Sequence, residues 1–191
     1  MKMEYVYEVY NVIPKSLCDE IIEKFENDSR KFNGKIGEGV VNHSIKKTLD
    51  LWIHDHIDWK PINDILEKYL VSALDVYFSY VIHEVFNGNE FIMRQKFSQN
   101  IDVSGFQIQK YNVGDFFDWH IDDTVGSKRL LAFLMYLNDN DSCTEFLNGK
   151  VCKPETGKIL FFPATWTYTH RGQKIKQGIK YIISGFICEC I

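Results

Sequence analysis

The sequence predicts an α+β domain, a jelly roll of antiparallel strands with N-terminal helices packed on one of its sheets. Three observations predict it. Helical periodicity fills most of the first ninety residues, period-two patterning takes over from about residue 91, and turn residues recur at short intervals through the second half. A chain of 191 residues with 45% apolar and 15% aromatic content has the material for one sizeable core. The expected organisation is a single domain over 1–191, with helical support in 1–90 and the jelly-roll core in about 91–191.

The helices come first. In "SLCDEIIEKFENDS", residues 16–29, Ser16 is followed three positions later by Asp19, and Pro14 lies just upstream. That reads as a capping box opening a helix. Leu17, Ile21 and Phe25 then recur at helical spacing. A longer helix is expected over 61–82, with Pro61 in its first turn and an apolar stripe through Ile62, Ile65, Leu66, Tyr69, Leu70, Leu74 and Tyr77. The strand-like "YVIHEVF" is tangled into its end. From about residue 91 the strands follow: "FQIQKY", "KRLLAFLMYLN", "TEFLNG", "KILFFPA", "TWTYTH" and "GIKYIISGFIC". Gly114, Asn138-Asp139-Asn140-Asp141, Asn148-Gly149, Pro154 and Gly172 separate them.

Charge and cysteine usage narrow the function. A formal net charge of −4 disfavours a general binder of nucleic acid or anionic membrane. No apolar run approaches a bilayer span, and the first residues lack the apolar segment of a signal peptide. The five cysteines are an odd number and include no C-x-x-C, so reduced thiols in a cytoplasm are the simpler expectation. Cys188 and Cys190 are read as strand neighbours, with a redox pair as the sharper alternative. Oligomeric state is not readable.

Two His-x-Asp triplets raise the question of a metal, because residues two apart on a strand share a face. His56-Ile57-Asp58 lies just before Pro61 and reads as a polar connection into the long helix, with Trp59 as an aromatic anchor. A surface site using His54 and His56 is the alternative. His120-Ile121-Asp122 ends a run in which Tyr111, Gly114 and Phe117 fall at three-residue steps, and His170 comes later, at the end of "TWTYTH". Two histidines and one carboxylate can occupy one face of a metal and leave the other open, the mark of non-haem Fe(II) oxygenases.

Here the chain resembles a known family. Tyr111, Gly114, Phe117, His120 and Asp122 are followed by Tyr136-Leu137-Asn138, then Thr144 and Phe146, then Pro154, Gly157 and Phe162, and then His170 and Lys180. In order and spacing this is similar to the prolyl 4-hydroxylase-like 2-oxoglutarate/Fe(II) dioxygenases over residues 105–188. The opening "VIPKSLCDEIIEKF" is also similar, more weakly. The resemblance implies a double-stranded β-helix, a cycle in which 2-oxoglutarate and O₂ become succinate and CO₂ as a C–H bond is hydroxylated, and ascorbate to restore oxidised iron. It implies His120, Asp122 and His170 as Fe(II) ligands and Lys180 as partner of the distal carboxylate of 2-oxoglutarate. Tyr111 and Tyr136 are implied as further donors to that carboxylate, and Thr144 joins the cluster. Plain alternatives remain: Lys180 on the solvent side of its strand, and both tyrosines as core aromatics.

Two departures from the family stand out. Asp141-Ser142-Cys143 replaces the usual Gly-Gly before the threonine, and Phe117 replaces a tyrosine that lies near the substrate in relatives. The second puts peptidyl-proline in doubt, so the expected substrate is a peptide or protein, or a small molecule such as a free amino acid. The rival class is a non-catalytic jelly roll that binds a metal or small ligand.

Overall fold

The computed structural model describes residues 4–37, 39–97, 101–123 and 126–189. Its two helical anchors lie where the apolar stripes place them, with different ends. Helix α1 spans Lys15–Asn27 and buries Cys18, Ile21 and Phe25. The expected capping box does not form. Pro14 takes the N-cap position, and Asp19 is held by the Lys15 ammonium at 2.6 and 2.8 Å. With the helix begun before Ser16, neither Ser16 nor Asp19 sits where it could satisfy an orphan N–H. Helix α2 spans Lys60–Tyr80 with Pro61 in its first turn. The strand-like segment after it is a π-helical turn, Val81–Val85, that continues the helix and buries Val81 and Val85.

The change of period near residue 91 is not a change to strand. Glu90–Phe97 is a third helix, α3, whose Phe97 ring lies 4.8 Å from that of Phe78. Packing against α2 outweighs a local pattern too short to fix a conformation.

All ladders are antiparallel. The major sheet has eight strands, in the order β1 (Tyr7–Val9), β11 (Ile159–Pro163), β8 (Arg129–Tyr136), β13 (Lys180–Glu189), β6 (Gln107–Tyr111), β4 (Leu49–Trp52) and β2 (Phe32–Asn33), with β5 (Ile101–Val103) also paired to β13. The minor sheet runs β10 (Val151–Cys152), β9 (Thr144–Phe146), β12 (His170–Gly172), β7 (Phe116–His120) and β3 (Lys46–Lys47). Four strands therefore come from the part of the chain expected to be helical support only. The "TWTYTH" segment is likewise only partly strand: Trp166–Tyr168 is a 3-10 turn, tied by a bond between the Thr165 and Thr167 hydroxyls, and β12 begins at His170.

The two-residue period of the strands sorts the side chains into two cores. Leu131, Phe133 and Met135 of β8, with Tyr181, Ile183 and Ile187 of β13, face the helices. Ala132 and Tyr136 of β8, with Ile182 of β13, face the minor sheet. Lys180 shares the parity of Ile182, so its strand carries it to the space between the sheets.

Gly157 ties the N-terminal segment to this frame. Its carbonyl accepts from the N–H groups of Val12 and Ile13, its φ is +79°, and a Cβ there would lie 2.2 Å from the Ile13 carbonyl oxygen. Gly157→Ala is expected to lower stability by about 1–3 kcal/mol, since both the left-handed backbone and the contact oppose it. Urea denaturation measures this, and an unchanged midpoint would show that the strap relaxes at no cost. Among the described residues, no helix is long and apolar enough to cross a membrane.

Candidate active site

The minor sheet brings the two histidines together. β7 and β12 are neighbours, and their register sets His120 directly opposite His170. Asp122 follows just beyond the end of β7. Ligand atoms of His120, Asp122 and His170 all lie within 4.8 Å of one another, and among the described residues no other group of three or more His, Cys, Asp or Glu side chains is arranged to hold a metal. His120 Nε2 is 3.8 Å from Asp122 Oδ1, and His170 Nε2 is 3.8 Å from Asp122 Oδ2.

The backbone selects the tautomer. His120 Nδ1 lies 2.8 Å from the Asp118 carbonyl oxygen and His170 Nδ1 lies 3.0 Å from that of Tyr168. A carbonyl can only accept, so each Nδ1 carries the proton and each Nε2 presents its lone pair to the cluster, the outer-sphere arrangement of metal-binding histidines. Burial pushes the His120 pKa well below its ordinary value and raises that of Asp122. Both shifts express the cost of charge in a dry site, and a divalent cation among these donors supplies compensating charge. Two neutral imidazoles and one carboxylate suit Fe(II).

Neighbours hold these groups still. The Phe117 ring stacks on His120 with centroids 3.5 Å apart and planes 8° from parallel, and the Lys46 ammonium lies 5.1 Å from the Phe117 centroid. Lys46 is paired at 2.7 Å with Asp50, a buried pair beside the Phe117 ring. Arg129 donates from Nη1 to the Asp122 carbonyl oxygen at 2.8 Å, and its guanidinium lies 3.9 Å from the Phe186 ring centroid. Sequence reading missed Lys46, Asp50 and Arg129. Asp50 had a signal: in "TLDLWI" Leu49, Leu51 and Ile53 alternate with Thr48, Asp50 and Trp52, a half-polar strand.

A cavity of about 640 Å³ between the sheets joins this cluster to the remaining candidates. Lys180, 1% exposed, lines it. Its ammonium donates to the Ser142 carbonyl oxygen at 3.0 Å and stands 5.0 Å from the Tyr111 ring, and among the described residues it has no carboxylate partner. Burial lowers its pKa to about 8. The Asp141-Ser142-Cys143 departure thus keeps a role for its backbone. Tyr111 also lines the cavity, with its hydroxyl donating to Gln109 Oε1 at 2.7 Å. Thr144 lines it too. Fully buried Tyr136 does not: its hydroxyl lies 2.9 Å from the Thr144 hydroxyl and stands behind it.

The other triplet is elsewhere and otherwise engaged. Ile57–Trp59 is a 3-10 turn leading into α2, Asp58 pairs with Arg30 at 2.8 Å, and the buried Trp59 indole donates to Asp28 at 2.9 Å. Trp166 is exposed, and Trp119 lies under the Arg171 guanidinium at 4.6 Å.

Residues 106–188 match the family model of the 2OG-Fe(II) oxygenase superfamily. No curated protein sequence matches the chain. Solved structures match it closely in fold. A prolyl hydroxylase from Trichoplax adhaerens, in complex with a peptide fragment of the hypoxia inducible factor oxygen degradation domain, aligns with a TM-score of 0.73 at 18% identity, over 96% of this chain and 83% of that one. A viral collagen prolyl hydroxylase from Paramecium Bursaria Chlorella virus-1, in its 2OG complex, aligns with a TM-score of 0.64 at 18% identity, over 98% and 97%. A Pseudomonas putida prolyl-4-hydroxylase aligns with a TM-score of 0.67 at 14% identity, over 96% and 92%. Residues 106–188 thus carry the 2OG-Fe(II) oxygenase signature, and the chain around them has the fold of these prolyl hydroxylases.

Proposed function

We propose that this chain is a 2-oxoglutarate/Fe(II)-dependent dioxygenase that hydroxylates a C–H bond of a peptidyl or free amino acid, with Fe(II) held by His120, Asp122 and His170 and 2-oxoglutarate seated against Lys180. The observation that carries the reading is Lys180: a buried ammonium without a carboxylate partner among the described residues, in the same cavity as the His-Asp-His cluster. A buried cation calls for an anion. A structural metal site has no use for such an anchor, which argues against the non-catalytic alternative.

Bound Fe(II) supplies the dioxygen chemistry that turns 2-oxoglutarate into succinate and CO₂ while one oxygen atom enters the substrate. The chain's own residues hold and orient. Lys180 neutralises the distal carboxylate, Tyr111 and Thr144 offer it hydroxyl protons, and Tyr136 fixes the Thr144 hydroxyl from behind. Phe117 and Arg129 keep His120 and the Asp122 loop in place. The peptide in the Trichoplax complex supports an amino-acid or peptide substrate, while Phe117 in place of tyrosine argues for a substrate other than peptidyl-proline. Ascorbate is expected to sustain turnover by keeping iron reduced. The free thiols of Cys18, Cys143 and Cys152 suit a reducing cytoplasm.

The test is succinate formation. With Fe(II), 2-oxoglutarate and air the protein is expected to release succinate slowly, and faster with amino-acid or peptide substrates that gain one oxygen by mass spectrometry. No succinate under any of these conditions, and no metal-to-ligand charge-transfer band on adding 2-oxoglutarate anaerobically, would overturn the reading.

A further inference from the structure

Behind Tyr111 runs a chain of side-chain hydrogen bonds. The Tyr111 hydroxyl donates to Gln109 Oε1 at 2.7 Å, and Gln109 Nε2 donates to Gln107 Oε1 and to Ser184 Oγ, each at 3.0 Å. The register places Tyr111 opposite Lys180, Gln107 opposite Ser184 on one side, and Gln107 opposite Trp52 on the other. The chain therefore follows one face of β6 from the Lys180 end of the cavity toward the partly exposed Trp52. Tyr111, Gln109, Gln107 and Ser184 all line that cavity. Tyr111 and Gln109 are 2% and 5% exposed, so water does not readily replace a lost partner at either.

The donors and acceptors can be counted. A tyrosine hydroxyl has one proton, an amide oxygen only accepts, and an amide nitrogen only donates. In the direction found, the Tyr111 proton is spent on Gln109. Among the described residues, two donors are left without an acceptor at the Trp52 end, the Gln107 amide nitrogen and the Ser184 hydroxyl proton. Suppose Tyr111 turns its proton to a carboxylate beside Lys180. Its oxygen then faces Gln109 Oε1 with no hydrogen between them, which a buried pair does not sustain. Half-turns of the Gln109 and Gln107 amides together repair the contact with little movement of heavy atoms. Gln109 Nε2 now donates to Tyr111, and Gln109 Oε1 accepts from the Ser184 hydroxyl and the Gln107 amide nitrogen. The Gln107 oxygen and a Ser184 lone pair are left facing the cavity.

The geometry points to Gln109 as a positioning residue that couples the cosubstrate seat to the substrate wall: its amide turns when Tyr111 engages 2-oxoglutarate, and the wall changes from donating to accepting. The substrate this wall fits carries an N–H near the reacting carbon, a peptide amide or an amino group. The inference rests on the reading that Tyr111 contacts the cosubstrate carboxylate.

The test uses Zn(II)-loaded protein, diamagnetic and inactive, titrated with 2-oxoglutarate. Affinity is read by calorimetry, and the glutamine side-chain amide signals by ¹⁵N NMR, assigned from Gln109→Glu and Gln107→Glu. Tyr111→Phe is expected to weaken 2-oxoglutarate about fivefold, the worth of one hydrogen bond. In the parent, saturating 2-oxoglutarate is expected to shift the amide signals of both Gln109 and Gln107, and in Tyr111→Phe it is expected to leave Gln107 unmoved. Gln109→Glu cannot donate to Tyr111, so it is expected to weaken 2-oxoglutarate at least tenfold alone and by several-fold less in the Tyr111→Phe background. If Tyr111→Phe binds like the parent, the contact between Tyr111 and the cosubstrate is wrong. If Tyr111→Phe is weakened but the Gln107 signals stay fixed in the parent, or the two substitutions simply add, the contact stands and the coupling through Gln109 is refuted.

Discussion

His120→Ala and Asp122→Ala are expected to reduce Fe(II)-dependent turnover of 2-oxoglutarate to background, while His56→Ala leaves it unchanged. The effect is large because each cluster residue offers one ligand atom in a site where burial already penalises charge. Loss of Asp122 removes the only carboxylate among the three and leaves a dication facing two neutral rings. Loss of His120 also unseats Phe117, whose ring lies flat against it. His170→Ala belongs with them, since two ligands hold a metal weakly and exchange it readily. His56, in contrast, sits at the N-cap of a 3-10 turn and belongs to no candidate metal cluster. The measurement is succinate release together with Fe(II) affinity for each variant. Activity lost in His56→Ala but kept in His120→Ala would invert the assignment of the two triplets.

The contrast between those triplets shows what the sequence could carry. The same three letters occur twice, and the spacing alone does not choose between them. What separates them is context spread over seventy residues, from Tyr111 to Lys180, and it is legible because strands fix side-chain direction by parity. β13 is the clearest case: Ile182 faces the minor sheet, so Lys180 must as well, and a lysine there is either costly or functional. Shorter elements carry a weaker record. β4, where no strand was expected, is four residues long, so its alternation is brief, and a core strand rarely carries a charge such as the buried Asp50. The segment after Tyr80 has strand-forming residues, yet it prolongs α2 as a π-helical turn because Val81 and Val85 reach the helix-side core that way. Lys46 and Arg129 were invisible for another reason: each acts across a sheet or a loop, on Phe117 and on the Asp122 carbonyl, and no local pattern records a partner that distant. Gln109 is a similar case, since its meaning lies in three partners, two of them on its own strand and one on β13.

Lys180→Ala is expected to raise the apparent 2-oxoglutarate constant by a factor of hundreds or more while leaving Fe(II) affinity near that of the parent. Deleting one member of a buried charge pair costs on the order of 3–5 kcal/mol, because the remaining charge stays in a dry pocket without its counterion. Without cosubstrate, Lys180 donates to the Ser142 carbonyl oxygen and lies against the Tyr111 ring, with no carboxylate partner among the described residues, and burial has already drawn its pKa down to about 8. The sign of the pH dependence follows. Below about pH 8 the ammonium is present and 2-oxoglutarate affinity is flat; above it the free protein loses the proton and affinity falls with rising pH. Lys180→Arg keeps a charge that does not titrate in this range, so its affinity is expected to be lower than the parent's at pH 7 but free of that decline. The titration is made anaerobically on the Fe(II) protein, following the metal-to-ligand charge-transfer band from pH 6.5 to 9.5. A parent curve without a break near pH 8, or a Lys180→Ala curve that overlays the parent, would place the distal carboxylate against some other residue, and Arg129 would then be the next cation in the cavity to replace.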